Sequence, residues 1–175
     1  QVLLFGGSWA KFRPFLLSLL HFLTMPVLKD QNEREFVKYR RVGKSGLKIS
    51  EISLGAWLTF GRSINDKDAE KIIHSAISQG VNFIDIADVY AKGKAEETVG
   101  QCIKSVNRPA LVISSKVFWP MSENINDRGL SRKHIMESID KSLKRIGTDY
   151  LDIYFCHRPD PETEIEETVR AMGDL

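Results

Sequence analysis

The chain has 175 residues, of which 42% are hydrophobic and 27% charged, with a formal net charge of +2. That length fits one domain or a piece of one, and so small a dispersed charge argues against a nucleic-acid or membrane-surface protein. Cys102 and Cys156 form neither a metal-ligand spacing nor a disulfide framework, and His21, His74, His134 and His157 show no HxxxH pairing. No metal site is expected, and a reducing, cytoplasmic setting is.

Residues 1–36 read as an apolar extension and linker outside the fold. The stretch runs basic from Lys11 and then apolar through Phe15 to Leu23, too short and interrupted to span a bilayer. As a signal peptide it lacks a small-x-small cleavage site after Leu23. Gln1 is not an initiator, so the chain is expected to be incomplete at its start, with Met25 a candidate true start.

The fold is expected over 37–175. Residues 37–42 and 47–49 flank a turn containing Gly43 and Gly46 and read as a short hairpin. Gly43-Lys44-Ser45 is not a phosphate loop, because Lys38 stands where the earlier glycine is required. A strand–helix unit then recurs four times. The first strand is read at 49–55 and its helix at 66–79, with Asn65 as N-cap, Gly80 as stop, and Ala69, Ile72, Ile73, Ala76 and Ile77 on one face. The second strand opens the run Asn82 to Tyr90, and its helix at 95–106 buries Val99, Cys102 and Ile103. The third strand spans 111–117. Its helix at 132–146 is capped by Ser131, ended by Gly147, and striped with Ile135, Ile139, Leu143 and Ile146. After a fourth strand at 150–156, a last helix opens with a capping box, Thr163-x-x-Glu166, and carries Ile165, Val169 and Met172.

This alternation predicts parallel strands with crossover helices, in either an open doubly wound sheet or a closed (β/α)8 barrel. After strand one the order Gly55-Ala56-Trp57-Leu58-Thr59-Phe60-Gly61 lacks the dinucleotide fingerprint, and the opening hairpin suits a plugged barrel. A full barrel takes about 250 residues, so the hairpin and four units are expected to be its N-terminal half. Two unpaired sheet edges would then favour self-association into a homo-oligomer.

Ligands of such folds bind at the carboxyl ends of the strands. There the sequence places Asp85, Tyr90 just beyond it, Lys116 and His157. Singly, Lys116 could snorkel to solvent and His157 could be a core histidine; together at matched strand ends they point to chemistry. A free phenol titrates near 10, and a close ammonium, itself held by a carboxylate, favours its ionised form. Tyr90 tuned by Lys116 and Asp85 is therefore the expected general acid, and His157 the donor that orients a substrate carbonyl. No residue supplies hydride, so a cofactor must. Phe118 and Trp119 are candidate walls of an apolar substrate pocket. Arg158 could pair with Asp88 or Asp160, or meet an anionic substrate, a surface ion pair being favoured.

These residues carry a family resemblance. The run Val81 to Tyr90 with Gly93-x-Ala95-Glu96, Ser115-Lys116 and His157 resembles the aldo-keto reductases. Tyr39-Arg40-x-x-Gly43-Lys44-Ser45-Gly46-Leu47, Trp57-x-Thr59-Phe60-Gly61, Arg128 to Ile135 and Arg158-Pro159-Asp160-Pro161 are similar to the branch holding the voltage-gated potassium channel β subunits and their microbial relatives. The resemblance implies a (β/α)8 barrel and NADPH-dependent reduction of small-molecule aldehydes or ketones, with NADP+ as product. It places Asp85, Tyr90, Lys116 and His157 at the catalytic tetrad, Ala56, Trp57, Asp85 and His157 at the cofactor, and Trp57 also at the substrate pocket. Ala56 replaces a Thr and Ser63 a Gln of that branch, whose phosphate contacts come from later strands. The channel subunits carry Asn at the position of His157, so His157 favours turnover over two alternatives: a regulatory module docking on a cation channel, or an inactive fragment.

Overall fold

In the computed structural model, which describes residues 37–175, the chain opens with an antiparallel hairpin of β1 (Tyr39–Arg41) and β2 (Lys48–Ser50). The expected extension over 1–36 lies outside the described residues. Tyr39 Oη donates to the Gly80 carbonyl at 2.7 Å, and the Ser50 amide donates to Asn82 Oδ1 at 2.7 Å. The hairpin is thus fastened to the amino end of the second parallel strand, the end away from the expected site.

Four strand–helix units follow: β3 (Leu54–Gly55) and α1 (Asp66–Ser78), β4 (Phe83–Asp85) and α2 (Lys94–Cys102), β5 (Val112–Val117) and α3 (Arg132–Ile146), β6 (Ile153–Cys156) and α4 (Ile165–Gly173). The strands form one sheet in the order β3-β4-β5-β6, and every neighbouring pair is parallel. Asn65 caps α1 by accepting from the Asp68 amide, Ser131 caps α3 by accepting from the His134 amide, and Gly147 ends α3 in the left-handed region.

Alternation along the strands sorts the side chains into two layers. Ile84, Ile113 and Val117 enter the buried clusters beneath the helices, with Ile73, Val99, Ile135 and Ile146. Asp85, Ser114 and Lys116 point the other way. The helices α2 and α3 approach closely at Gly100, where a Cβ would lie 2.3 Å from the Ile146 carbonyl oxygen.

Several expected boundaries move. Ile49 belongs to β2, and β3 has only two residues, because Ser50 Oγ donates to the Ile52 carbonyl and turns the chain between them. The fourth strand starts at Ile153 rather than at 150, since Arg108 takes the Tyr150 carbonyl and the Asp152 carboxylate and lies 4.1 Å over the Tyr150 ring. The second helix starts at Lys94 and stops at Cys102, although Ile103 and Val106 still join the core. The Thr163 capping box does not form: Thr163 Oγ1 donates to Asp160 Oδ2, and Glu164 is an N-cap without a side-chain bond. The expected stripe on that helix is also turned. Met172 packs against the core as expected, but Ile165 and Val169 are 65% and 61% exposed, and Thr168 and Ala171 face the core in their place. Ile72 on α1 is likewise exposed, leaving Ala69 and Ile73 as its buried residues.

Candidate active site

Strand register brings the site together. Asp85 is the Cα partner of Ser114, and Lys116 follows two residues later on the same face. Past β4 the backbone continues beside β5, with the Ile86 amide on the Ser114 carbonyl and the Asp88 amide on the Lys116 carbonyl. The chain then folds into a 3-10 turn, Tyr90–Gly93, which returns Tyr90 over Lys116. Ala91 and Lys92 hold φ of 50° and 53°, a left-handed pair that non-glycine residues rarely adopt. The turn is seated by Gly93, where a Cβ would lie 2.7 Å from Cδ of Arg145.

An ammonium has three hydrogens, and all three of Lys116 have acceptors. Nζ donates to Asp85 Oδ2 at 2.9 Å, to the Ile86 carbonyl at 2.8 Å and to Tyr90 Oη at 3.3 Å. The second oxygen of Asp85 accepts from Ser114 Oγ at 2.6 Å. Because Tyr90 Oη receives a hydrogen from Lys116, its own hydrogen is free to point away, towards the cavity.

His157 lies one residue beyond β6, where its amide donates to the Val117 carbonyl at 2.9 Å. Its ring meets that of Tyr90 edge-on, with centroids 5.8 Å apart. Burial, then the Lys116 and Arg158 cations, hold its pKa below the ordinary value, outweighing Asp85. The imidazole is therefore neutral at neutral pH and keeps one N–H to donate.

A cavity of about 480 Å³ lies over these groups, lined by Trp57, Val89, Tyr90, Trp119, His157 and Arg158. Beside it a hollow of about 230 Å³ is bounded by Gly55, Ala56, Trp57, Asp85 and Tyr90 among others. Trp57 stands 62% exposed between the two spaces, its ring 6.5 Å from that of Tyr90, whereas the Ala56 side chain is fully buried. Of the expected substrate walls, Trp119 reaches the Tyr90 cavity. Phe118 meets Trp119 edge-on but opens instead on a neighbouring cavity of about 630 Å³ bordered by Arg128 and Asp160. Arg158 makes no ion pair among the described residues, and neither Asp88 nor Asp160 is its partner. Among those residues no cluster of His, Cys, Asp or Glu is placed to hold a metal, and no helix is long and apolar enough to cross a membrane.

Sequence reading missed the supports behind the site. Glu96 is fully buried and accepts from Ser115 Oγ and from Arg145 Nε, each at 2.6 Å. This joins α2 and α3 to the strand residue next to Lys116. Asp88, also fully buried, accepts from the Val89 amide at 2.6 Å and from Ser138 Oγ at 3.0 Å. Burial, with a smaller push from Glu96, raises its pKa to about 7. Ser114 was legible by parity, two residues before Lys116. Glu96 enters the sequence reading only within the Gly93-x-Ala95-Glu96 motif, which assigns it no partner.

Residues 51–175 match the aldo/keto reductase family. A protein of Arabidopsis thaliana called "probable voltage-gated potassium channel subunit beta" is 52% identical over 139 residues, 78% of this chain and 42% of that protein. Its namesake in Oryza sativa subsp. japonica is 48% identical over the same shares. A crystal structure of a thermostable aldo-keto reductase with the inhibitor epalrestat superposes with a TM-score of 0.68 at 35% identity, covering 78% of this chain and 48% of that one. The chain thus spans about half the length of the relatives it matches, and the parallel sheet with its helices is that part of a (β/α)8 barrel. With most of its length matched, the chain belongs to the aldo/keto reductase family.

Proposed function

We propose that the protein carrying this chain is an NADPH-dependent reductase of aldehyde or ketone carbonyls, with Tyr90 as its proton donor. The observation that carries the reading is the 3.3 Å contact of Lys116 Nζ with Tyr90 Oη, backed by Asp85 at 2.9 Å from the same nitrogen. Ala56, Trp57, Asp85 and His157 would hold the cofactor. The hollow suits a flat ring: Trp57 presents an exposed indole face, and Gly55 leaves open space, with nothing within 4 Å of a would-be Cβ. When bound, NADPH supplies the hydride that no side chain can.

Each residue then has a task. Tyr90 aims its hydroxyl hydrogen into the cavity and releases it as negative charge grows on the carbonyl oxygen. Lys116 stabilises the phenolate so formed, and Asp85 keeps the ammonium aimed. The neutral His157 donates a second hydrogen bond to the same oxygen. Trp57 and Trp119 wall the cavity with apolar surface. A cytoplasmic location accords with two free cysteines.

The names of the plant relatives favour a second reading, an NADPH-binding regulatory module docking on a cation channel. Steady-state consumption of NADPH by the purified protein with a panel of aldehydes separates the two. Turnover supports the reductase. Tight cofactor binding without turnover on any carbonyl supports the regulatory module.

A further inference from the structure

We infer that Arg158 makes the Tyr90 cavity selective for oxo acids, carbonyl compounds whose other end is a carboxylate. The inference takes from the reductase reading only that the carbonyl sits at Tyr90.

Arg158 lines the same cavity as Tyr90, His157, Trp57 and Trp119. Its guanidinium carries five donors in a planar fork and cannot lose its charge. Among the described residues, Asp85, Asp88 and Asp160 near this rim are already engaged. Asp85 takes Lys116 and Ser114, and Asp88 takes Val89 and Ser138 from beneath the surface. Asp160, two residues along, accepts from the Leu130 and Glu162 amides and from Thr163. Lys116 is matched by Asp85 and His157 is neutral, so among the described residues Arg158 is the cation at the cavity edge without an acidic partner. That charge is felt inside, since Arg158 is among the cations that disfavour the imidazolium of His157.

A guanidinium with no ion pair among the described residues, set beside two indole walls, matches a planar apolar body that ends in an oxyanion. A carboxylate fits the fork with two parallel hydrogen bonds, which an ester or an aldehyde lacking the acid cannot make. The neighbouring cavity is less suited, because Asp160 and Glu162 share it with Arg128.

The test uses 4-carboxybenzaldehyde and its methyl ester, a close neutral match, titrated calorimetrically into the protein. The wild type is expected to bind the acid at least tenfold more tightly than the ester. Arg158→Met should bring that ratio close to one, and Arg158→Lys should retain part of it. A wild type without preference, or a preference that survives Arg158→Met, overturns the inference. So does a loss of NADPH affinity in Arg158→Met, which would assign the guanidinium to the cofactor. Selective binding of the acid by a protein that, supplied with NADPH, reduces neither it nor any other aldehyde of the panel would uphold Arg158 as the selector and overturn the reductase reading instead.

Discussion

The Lys116 ammonium lies 3.3 Å from the Tyr90 hydroxyl across 26 residues of chain, and two other acceptors hold it there. Parallel pairing of β4 with β5 sets the Asp85–Lys116 arm of this triangle. The strained turn after Val89 sets the other arm, by bringing Tyr90 back over the strand end. The contact thus follows from register and turn geometry, with helix packing behind both.

Lys116→Met should therefore abolish more than a charge. The phenol loses the donor that aims its hydrogen outward, and Asp85 loses its counter-ion. We expect kcat to fall at least about 100-fold, the lower range for removal of acid–base assistance. NADPH affinity, measured by fluorescence titration, should stay within a few-fold. A kcat within threefold of wild type would separate Lys116 from proton donation.

The His157 ring should titrate below the ordinary histidine value in the wild type, followed by its NMR resonances. In Lys116→Met its pKa should rise, because one of the two cations opposing the imidazolium is gone and Asp85 is left uncompensated. A folded value below the unfolded one makes this a contribution to stability that is present above about pH 6.5 and lost as pH falls. An unchanged pKa in the variant would mean that Lys116 does not act on His157.

Asp88 has the opposite sign. Its folded pKa, raised to about 7, keeps the proton that an unfolded carboxyl sheds near 4, so its contribution is lost as pH rises towards 7. The slope is roughly 1.4 kcal/mol per pH unit within that window at most. Asp88→Asn lacks this loss and can still meet Val89 and Ser138. Its melting temperature relative to wild type should therefore be higher at pH 8 than at pH 5. An equal difference at both would show that the buried carboxyl titrates normally.

Gly100→Ala and Gly173→Ala test the helix contact behind the site. At Gly100 a methyl group would meet the Ile146 backbone, whereas at Gly173 nothing lies within 4 Å. The first should cost about 1–3 kcal/mol by overpacking, and the second should be neutral or stabilise by up to about 1 kcal/mol. Chemical denaturation of both variants reads the contrast, and similar values would contradict the close approach of α2 to α3.

The helix at 132–146 was legible to the residue because cap, stripe and terminal glycine all agree there. Three strand ends were legible because Asp85, Lys116 and His157 interrupt or close apolar runs. Short strands were not: β3 has two residues, and its pairing is decided by β4 rather than by its own sequence. The last helix misled because Ile165 and Val169 have helical spacing yet face outward, while Thr168, whose hydroxyl bonds the Leu130 carbonyl, turns inward. Glu96 stands in a quoted motif, but its ion pair stayed hidden because Arg145 is 49 residues away and no local pattern joins them.

The most direct measurement is hydride transfer from NADPH to an aldehyde by Tyr90→Phe, followed in a single turnover with saturating cofactor. That variant keeps the ring and removes only the oxygen that Lys116 meets. Loss of at least about 100-fold in rate with unchanged NADPH affinity is the expected result. A rate equal to wild type would contradict the assignment of this hydroxyl as the proton source.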